Sequence, residues 1–101
     1  MSITSNISAD GKTLTIAIDG RFDFSAHQEF RKSYEQVAKP VSAYVLEMGK
    51  TTYLDSSALG MLLLLRDHAG GDNANISIVH CSEDVKKILT ISNFQQLFKL
   101  A

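Results

Sequence analysis

A single α/β domain built on a mainly parallel sheet is the fold class that three observations predict. Short stretches with strand periodicity alternate with helical stretches along the chain. A hairpin stands at the N-terminal side of the first helix. Each later strand reaches its successor through a helix, which requires crossovers and parallel pairing. The predicted order is β-β-α-β-α-β-α-β, with helices packed on the sheet, and one domain spans residues 1–101.

Ile3 to Ser8 reads as a weak first strand. Ala9-Asp10-Gly11-Lys12 follows as a turn in which Gly11 can take positive φ. Thr13 to Asp19 alternates, with Leu14, Ile16 and Ile18 on one face and Thr13, Thr15 and Asp19 on the other, so the pair forms a hairpin. Gly20-Arg21-Phe22-Asp23 reads as a loop. Ser25 with Gln28 resembles a capping box that opens a helix to about Val37, striped by Phe30, Tyr34 and Val37 and ended at Lys39-Pro40. Ala43 to Met48 is a strand with Tyr44, Leu46 and Met48 on one face. Gly49 to Tyr53 reads as a second loop.

Leu54-Asp55-Ser56-Ser57 then leads into a leucine-rich helix that runs to about Ala69 and stops at Gly70-Gly71. Ile76 to Val79 is a short buried strand. Ser82 caps a helix carrying Val85, Ile88, Leu89 and Ile91, which Ser92-Asn93 closes. Phe94 to Leu100 holds a last segment that is part strand.

Composition narrows the function. The apolar share is 45% with a single proline, enough for one folded core. Ten basic residues face 11 acidic ones, net −1, which argues against nucleic acid as the direct partner. Cys81 is the single cysteine, so no internal disulfide can form. Met1-Ser2-Ile3-Thr4 has no basic region and no long apolar stretch follows, which predicts no signal peptide. The longest apolar run, Met61 to Leu65, is far too short for membrane insertion. A cytoplasmic location is expected.

The leucine-rich helix separates its side chains at about 3.6 residues per turn. Ala58, Leu62, Leu65 and Ala69 should pack on the sheet, flanked by Leu59 and Met61. Gly60, Leu63, Leu64 and Asp67 fall on or near the opposite side. Either a further layer of the domain covers Leu63 and Leu64, or they belong to a partner surface that starts at Ser56. In the second case Gly60 lets a partner backbone come close.

Ser56 and Ser57 stand where helix N–H groups are unpaired and the dipole is positive. A serine there is either a plain N-cap or the acceptor of a phosphate that the helix end tolerates. Asp55 and Asp23 would make such a site strongly negative. Catalytic machinery is not in view. The nucleophile-elbow pattern is absent, and His27, His68 and His80 are scattered. His80-Cys81 is too small a set for a metal site, and no phosphate loop or dinucleotide fingerprint calls for a cofactor. The chain is expected not to be an enzyme.

Tyr53-Leu54-Asp55-Ser56-Ser57-Ala58-Leu59-Gly60 resembles the signature of the STAS-domain anti-sigma factor antagonists of bacteria. Gly20-Arg21-Phe22-Asp23 resembles that family's Gly-Glu-Leu-Asp loop. Tyr44-Val45-Leu46-Glu47-Met48 is similar to its central strand, and Ile91-Ser92-Asn93-Phe94 with Leu97-Phe98 to its closing segment. Within the family, the chain looks most like the HsbA-type regulators of gammaproteobacteria.

The resemblance implies a STAS-like fold and partner switching. The unphosphorylated protein would bind an anti-sigma factor and free the sigma factor. A serine kinase would weaken that binding by phosphorylating Ser56, and a phosphatase would reverse it. The contact loop maps onto Arg21, Phe22 and Asp23, and the HsbA-type likeness suggests control of flagellar or biofilm genes. Ala58 stands where Gly is usual, which implies a narrower approach for a partner backbone. Glu47 stands where Asp or Asn is commoner, and Asn93 where Gly is common. Two other readings compete. One is a non-switching STAS subunit of a lipid or anion transport system, and the other a small hydrolase using Ser57.

Overall fold

The computed structural model describes residues 2–37 and 40–101, so Met1 and the Lys39 of the expected helix end lie outside the described residues. Among the described residues, the strands are β1 (Ser2–Ile7), β2 (Thr13–Phe22), β3 (Ala43–Glu47), β4 (Thr51–Leu54), β5 (Ile76–Val79) and β6 (Lys99–Leu100). The helices are α1 (His27–Glu35), α2 (Ser56–His68) and α3 (Glu83–Ile91). The strands form one sheet in the order β1-β2-β3-β5-β6, with β4 paired to β2. Only the β1–β2 hairpin is antiparallel among the described pairs. The expected α/β order therefore holds, with one strand added.

Alternation along the strands builds the core. Leu14, Tyr44 and Ile76 lie side by side across three parallel strands, and Ile16, Leu46 and Ile78 form the next row. All six are buried. Phe30 and Tyr34 from α1, Leu62 and Leu65 from α2, and Val85 and Leu89 from α3 join the same cluster. The opposite face keeps Thr15, Val45 and Ser77 half-buried.

Three local expectations are corrected. Gly20 to Phe22 is strand and not loop: the register shifts between Gly20 and Arg21, and Gly20 absorbs that irregularity at φ +86°. Thr51 to Leu54 is also strand. It runs along β2 beyond the end of β3, held by the Gly20 N–H on the Lys50 carbonyl (2.9 Å) and the buried Thr51 hydroxyl on the Ile18 carbonyl (2.7 Å). The third concerns Ser25, which does not cap α1. Asp23 instead caps a 3-10 turn over Phe24–Ala26, and α1 starts behind it at His27.

α1 stops at Glu35, short of the expected Val37, while the C-terminal ends of α2 and α3 and the start of α3 follow the expectations. The Ser82 hydroxyl accepts from the Val85 N–H (3.2 Å). Asn93 sits in the left-handed region at φ +61°, which asparagine tolerates better than most side chains. Among the described residues, no helix is long and apolar enough to cross a membrane.

Candidate functional site

The site forms where β2 and β4 end together. Arg21 pairs with Tyr53 and Phe22 with Leu54 in parallel register. The next residues, Asp23 and Asp55, therefore leave the sheet at the same level, at the C-terminal ends of neighbouring strands. Ligand and partner sites of open α/β sheets collect at that end. Each carboxylate turns onto the segment that follows it. Asp55 is the N-cap of α2 and accepts from the Ala58 N–H at 2.8 Å. Asp23 accepts from the Ser25 N–H at 3.0 Å and from the Ser25 hydroxyl. The Ser25 hydroxyl is the main influence holding the Asp23 carboxyl below its ordinary range, followed by the Ser25 N–H, while Arg21 contributes less.

Ser56 is the first residue of α2 and is exposed. The N-cap role belongs to Asp55, so the N-cap reading of Ser56 is set aside. Among the described residues, its hydroxyl makes no hydrogen bond, and the same holds for the half-buried Ser57. The first N–H groups of the helix lie beside this hydroxyl, at the positive end of the dipole. Arg21 lies on β2 beside Tyr53 of β4. Its guanidinium lies 4.3 Å from the Tyr53 ring centroid, a cation–π pair across the two strands, with Nε 3.7 Å from Asp23.

Beyond Ser56, the outer stripe of α2 is open. Gly60, Leu63, Leu64 and Asp67 are all exposed, with Leu63 at 40% and Leu64 at 50%. The structure thus brings Ser56 and the leucines onto one helix face, as the wheel predicts, and no further layer of the described residues covers them. A side chain at Gly60 would meet no atom within 4 Å, so nothing in the chain's own packing requires glycine there.

One expected contributor to this surface is elsewhere. Phe22 is fully buried, its ring centroid 5.0 Å from that of Phe30, because strand alternation turns it inward between exposed Arg21 and half-buried Asp23. It is a core residue and not a partner contact. Ala58 is also fully buried, so its methyl does not limit a partner's approach. One surface residue escaped the sequence reasoning. Phe24 is 73% exposed on the turn capped by Asp23, and its ring stacks on His27 at 6.1 Å. The signal was its place just after Asp23, where the strand's alternation stops.

Each histidine is engaged by another side chain. His27 stacks on Phe24, the His68 ring lies 4.9 Å from Tyr34, and His80 pairs with Glu47. Burial pushes the Glu47 carboxyl up, but the His80 and Gly49 hydrogen bonds outweigh it and leave the group lowered. Among the described residues, no group of three or more His, Cys, Asp or Glu is placed to hold a metal ion.

A family model described as "Mlab, STAS domain" matches residues 5–100. A STAS-domain containing protein of Pseudomonas aeruginosa (strain UCBPP-PA14) is 64% identical over 101 residues, covering 100% of both chains. Solved structures share the fold at low identity. A putative anti-sigma factor antagonist from Thermotoga maritima superposes with a TM-score of 0.82 at 16% identity, covering 97% of this chain and 84% of its own. The Bacillus cell fate determinant SpoIIAA in its phosphorylated form gives 0.68 at 15%, covering 99% and 91%. A sulfate transporter family protein from Wolinella succinogenes gives 0.73 at 12%, covering 90% and 83%.

Proposed function

The chain belongs to the STAS domain family, and on that premise we propose that it is an anti-sigma factor antagonist that works by partner switching. The unphosphorylated form binds an anti-sigma factor through the outer stripe of α2 and the end of β2. A serine kinase modifies Ser56, which weakens or redirects that binding, and a phosphatase restores it. The chain acts by binding and carries no catalytic role of its own. The HsbA-type resemblance extends the proposal to flagellar and biofilm genes.

The observation that carries the reading is the division of labour at the start of α2. Asp55 performs the cap, and the exposed Ser56 hydroxyl makes no hydrogen bond among the described residues. A phosphoryl group there adds about −1.5 to −2 charges at neutral pH. The helix end tolerates that charge, so the fold stays intact. A partner seated on Leu63 and Leu64 must then desolvate a dianion beside Asp55 and Asp23, which is costly. The switch changes a surface and leaves the shape alone. The likeness to SpoIIAA, solved in phosphorylated form, supports the same reading.

The likeness to a sulfate transporter family protein favours a second reading, a non-switching subunit of a lipid or anion transport system. Intact-mass spectrometry with peptide mapping, on protein taken from the cells that make it, separates the two. Phosphate confined to Ser56 and abolished by Ser56→Ala supports the switch. No phosphate under any growth condition favours the transport subunit.

A further inference from the structure

We infer that Phe24 is an anchor of the switched partner surface, and that the partner offers an apolar pocket sized for a phenyl ring. This rests on the partner-switching reading of the same site. Phe24 stands 73% exposed and is not among the buried residues of the core cluster. Its backbone is pinned, because Asp23 holds both the N–H and the hydroxyl of Ser25, the next residue. Its ring is steadied against His27. A rigid aromatic side chain loses little freedom on docking, and buried aromatics carry a large part of interface energy.

The ring is also continuous with the Ser56 helix. His27, on which Phe24 stacks, lines one cleft between α1 and α2 together with Met61 and Leu64. Phe24, His27 and Leu64 thus form a path from the turn after β2 to the outer stripe of α2. Asp23, immediately before Phe24, leaves its strand level with Asp55, immediately before Ser56. A partner that spans the outer stripe of α2 from Ser56 to Leu64, about two turns further on, therefore meets Phe24 as well. Ile91 supplies the contrast. It is equally exposed at 73%, but it ends α3, on a different helix from both the turn after β2 and the outer stripe of α2.

The test places a photo-crosslinking phenylalanine analogue at position 24, 64 or 91 of the full chain. Each is made on Ser56→Ala and Ser56→Asp backgrounds and irradiated in the cells that make the protein. Positions 24 and 64 are expected to capture the same protein, about tenfold less on the Ser56→Asp background, with none at position 91. Capture at position 64 that depends on residue 56, with none at position 24, overturns the inference and leaves the switch standing. Capture at position 24 that ignores residue 56 also overturns it. If neither position 24 nor position 64 captures a protein in a way that depends on residue 56, the partner-switching reading fails and the anchor fails with it.

Discussion

Asp23 and Asp55 hold matching posts, each one residue beyond the paired positions Phe22 and Leu54 and each capping the segment that follows. Parallel pairing of β2 with β4 sets the two carboxylates level, and the caps aim both chains away from the sheet. The surface proposed for a partner grows from that relationship. Phe24 follows one aspartate and Ser56 follows the other.

The caps predict unequal costs for neighbouring residues. Asp55→Ala removes the acceptor of the Ala58 N–H and should lower stability by about 1 kcal/mol. In a domain of this size that lowers Tm by about 4–8 °C. Ser56→Ala should stay within about 0.5 kcal/mol. Thermal unfolding of the two variants checks the assignment, and equal losses would return a capping role to Ser56.

Phe22 and Phe24 should part company in the same way. Phe22→Ala opens a cavity against Phe30 and should cost about 3–5 kcal/mol. Phe24→Ala should change stability by less than about 0.5 kcal/mol. Urea unfolding reads both, and a large loss at Phe24 would place its ring in the core.

Adjacent leucines on α2 should behave oppositely. Leu65→Ala should cost about 2–5 kcal/mol, because Leu65 is fully buried. Leu64→Glu should keep the fold and lower partner affinity, because half of Leu64 faces outward. Circular dichroism paired with a binding titration separates the effects, and a collapse in Tm for Leu64→Glu would put that residue in the core.

Asp23 supplies a pH test. Its folded carboxyl is lowered, chiefly by the Ser25 hydroxyl, so its contribution to stability is present above the unfolded value of about 3.9. The contribution is lost as pH falls through the folded value. Ser25→Ala should raise the Asp23 titration toward the ordinary range, as followed by carboxyl NMR. An unmoved titration would assign the lowering to another neighbour.

Much of the fold was legible because its signals are periodic. Leu14, Ile16 and Ile18 alternate cleanly, and the leucines of α2 sort correctly onto buried and exposed faces. β4 was hidden because Thr51 and Leu54 point inward with Thr52 and Tyr53 both outward, a pattern without period-two alternation. Gly20 hid the end of β2, since a glycine with positive φ serves a strand irregularity as well as a turn. Ser25 resembled a cap because its spacing to Gln28 fits one, but the stronger acceptor, Asp23, lies two residues earlier and takes the Ser25 N–H. The exposed placement of Ser56, Gly60, Leu63, Leu64 and Asp67 on one face of α2 was legible from helical spacing. Phe24 was not, because its exposure is decided by a capped turn that spacing alone does not reveal.

The most direct test of the switch is the affinity of the crosslinked partner, once purified, for the chain unmodified and phosphorylated at Ser56. Isothermal titration calorimetry on both forms, with Ser56→Ala and Ser56→Asp alongside, gives the comparison. The account predicts tight binding by the unmodified chain and Ser56→Ala, and binding weaker by about tenfold or more for the phosphorylated form and Ser56→Asp. Equal affinity across all of them, with the fold intact, would contradict it.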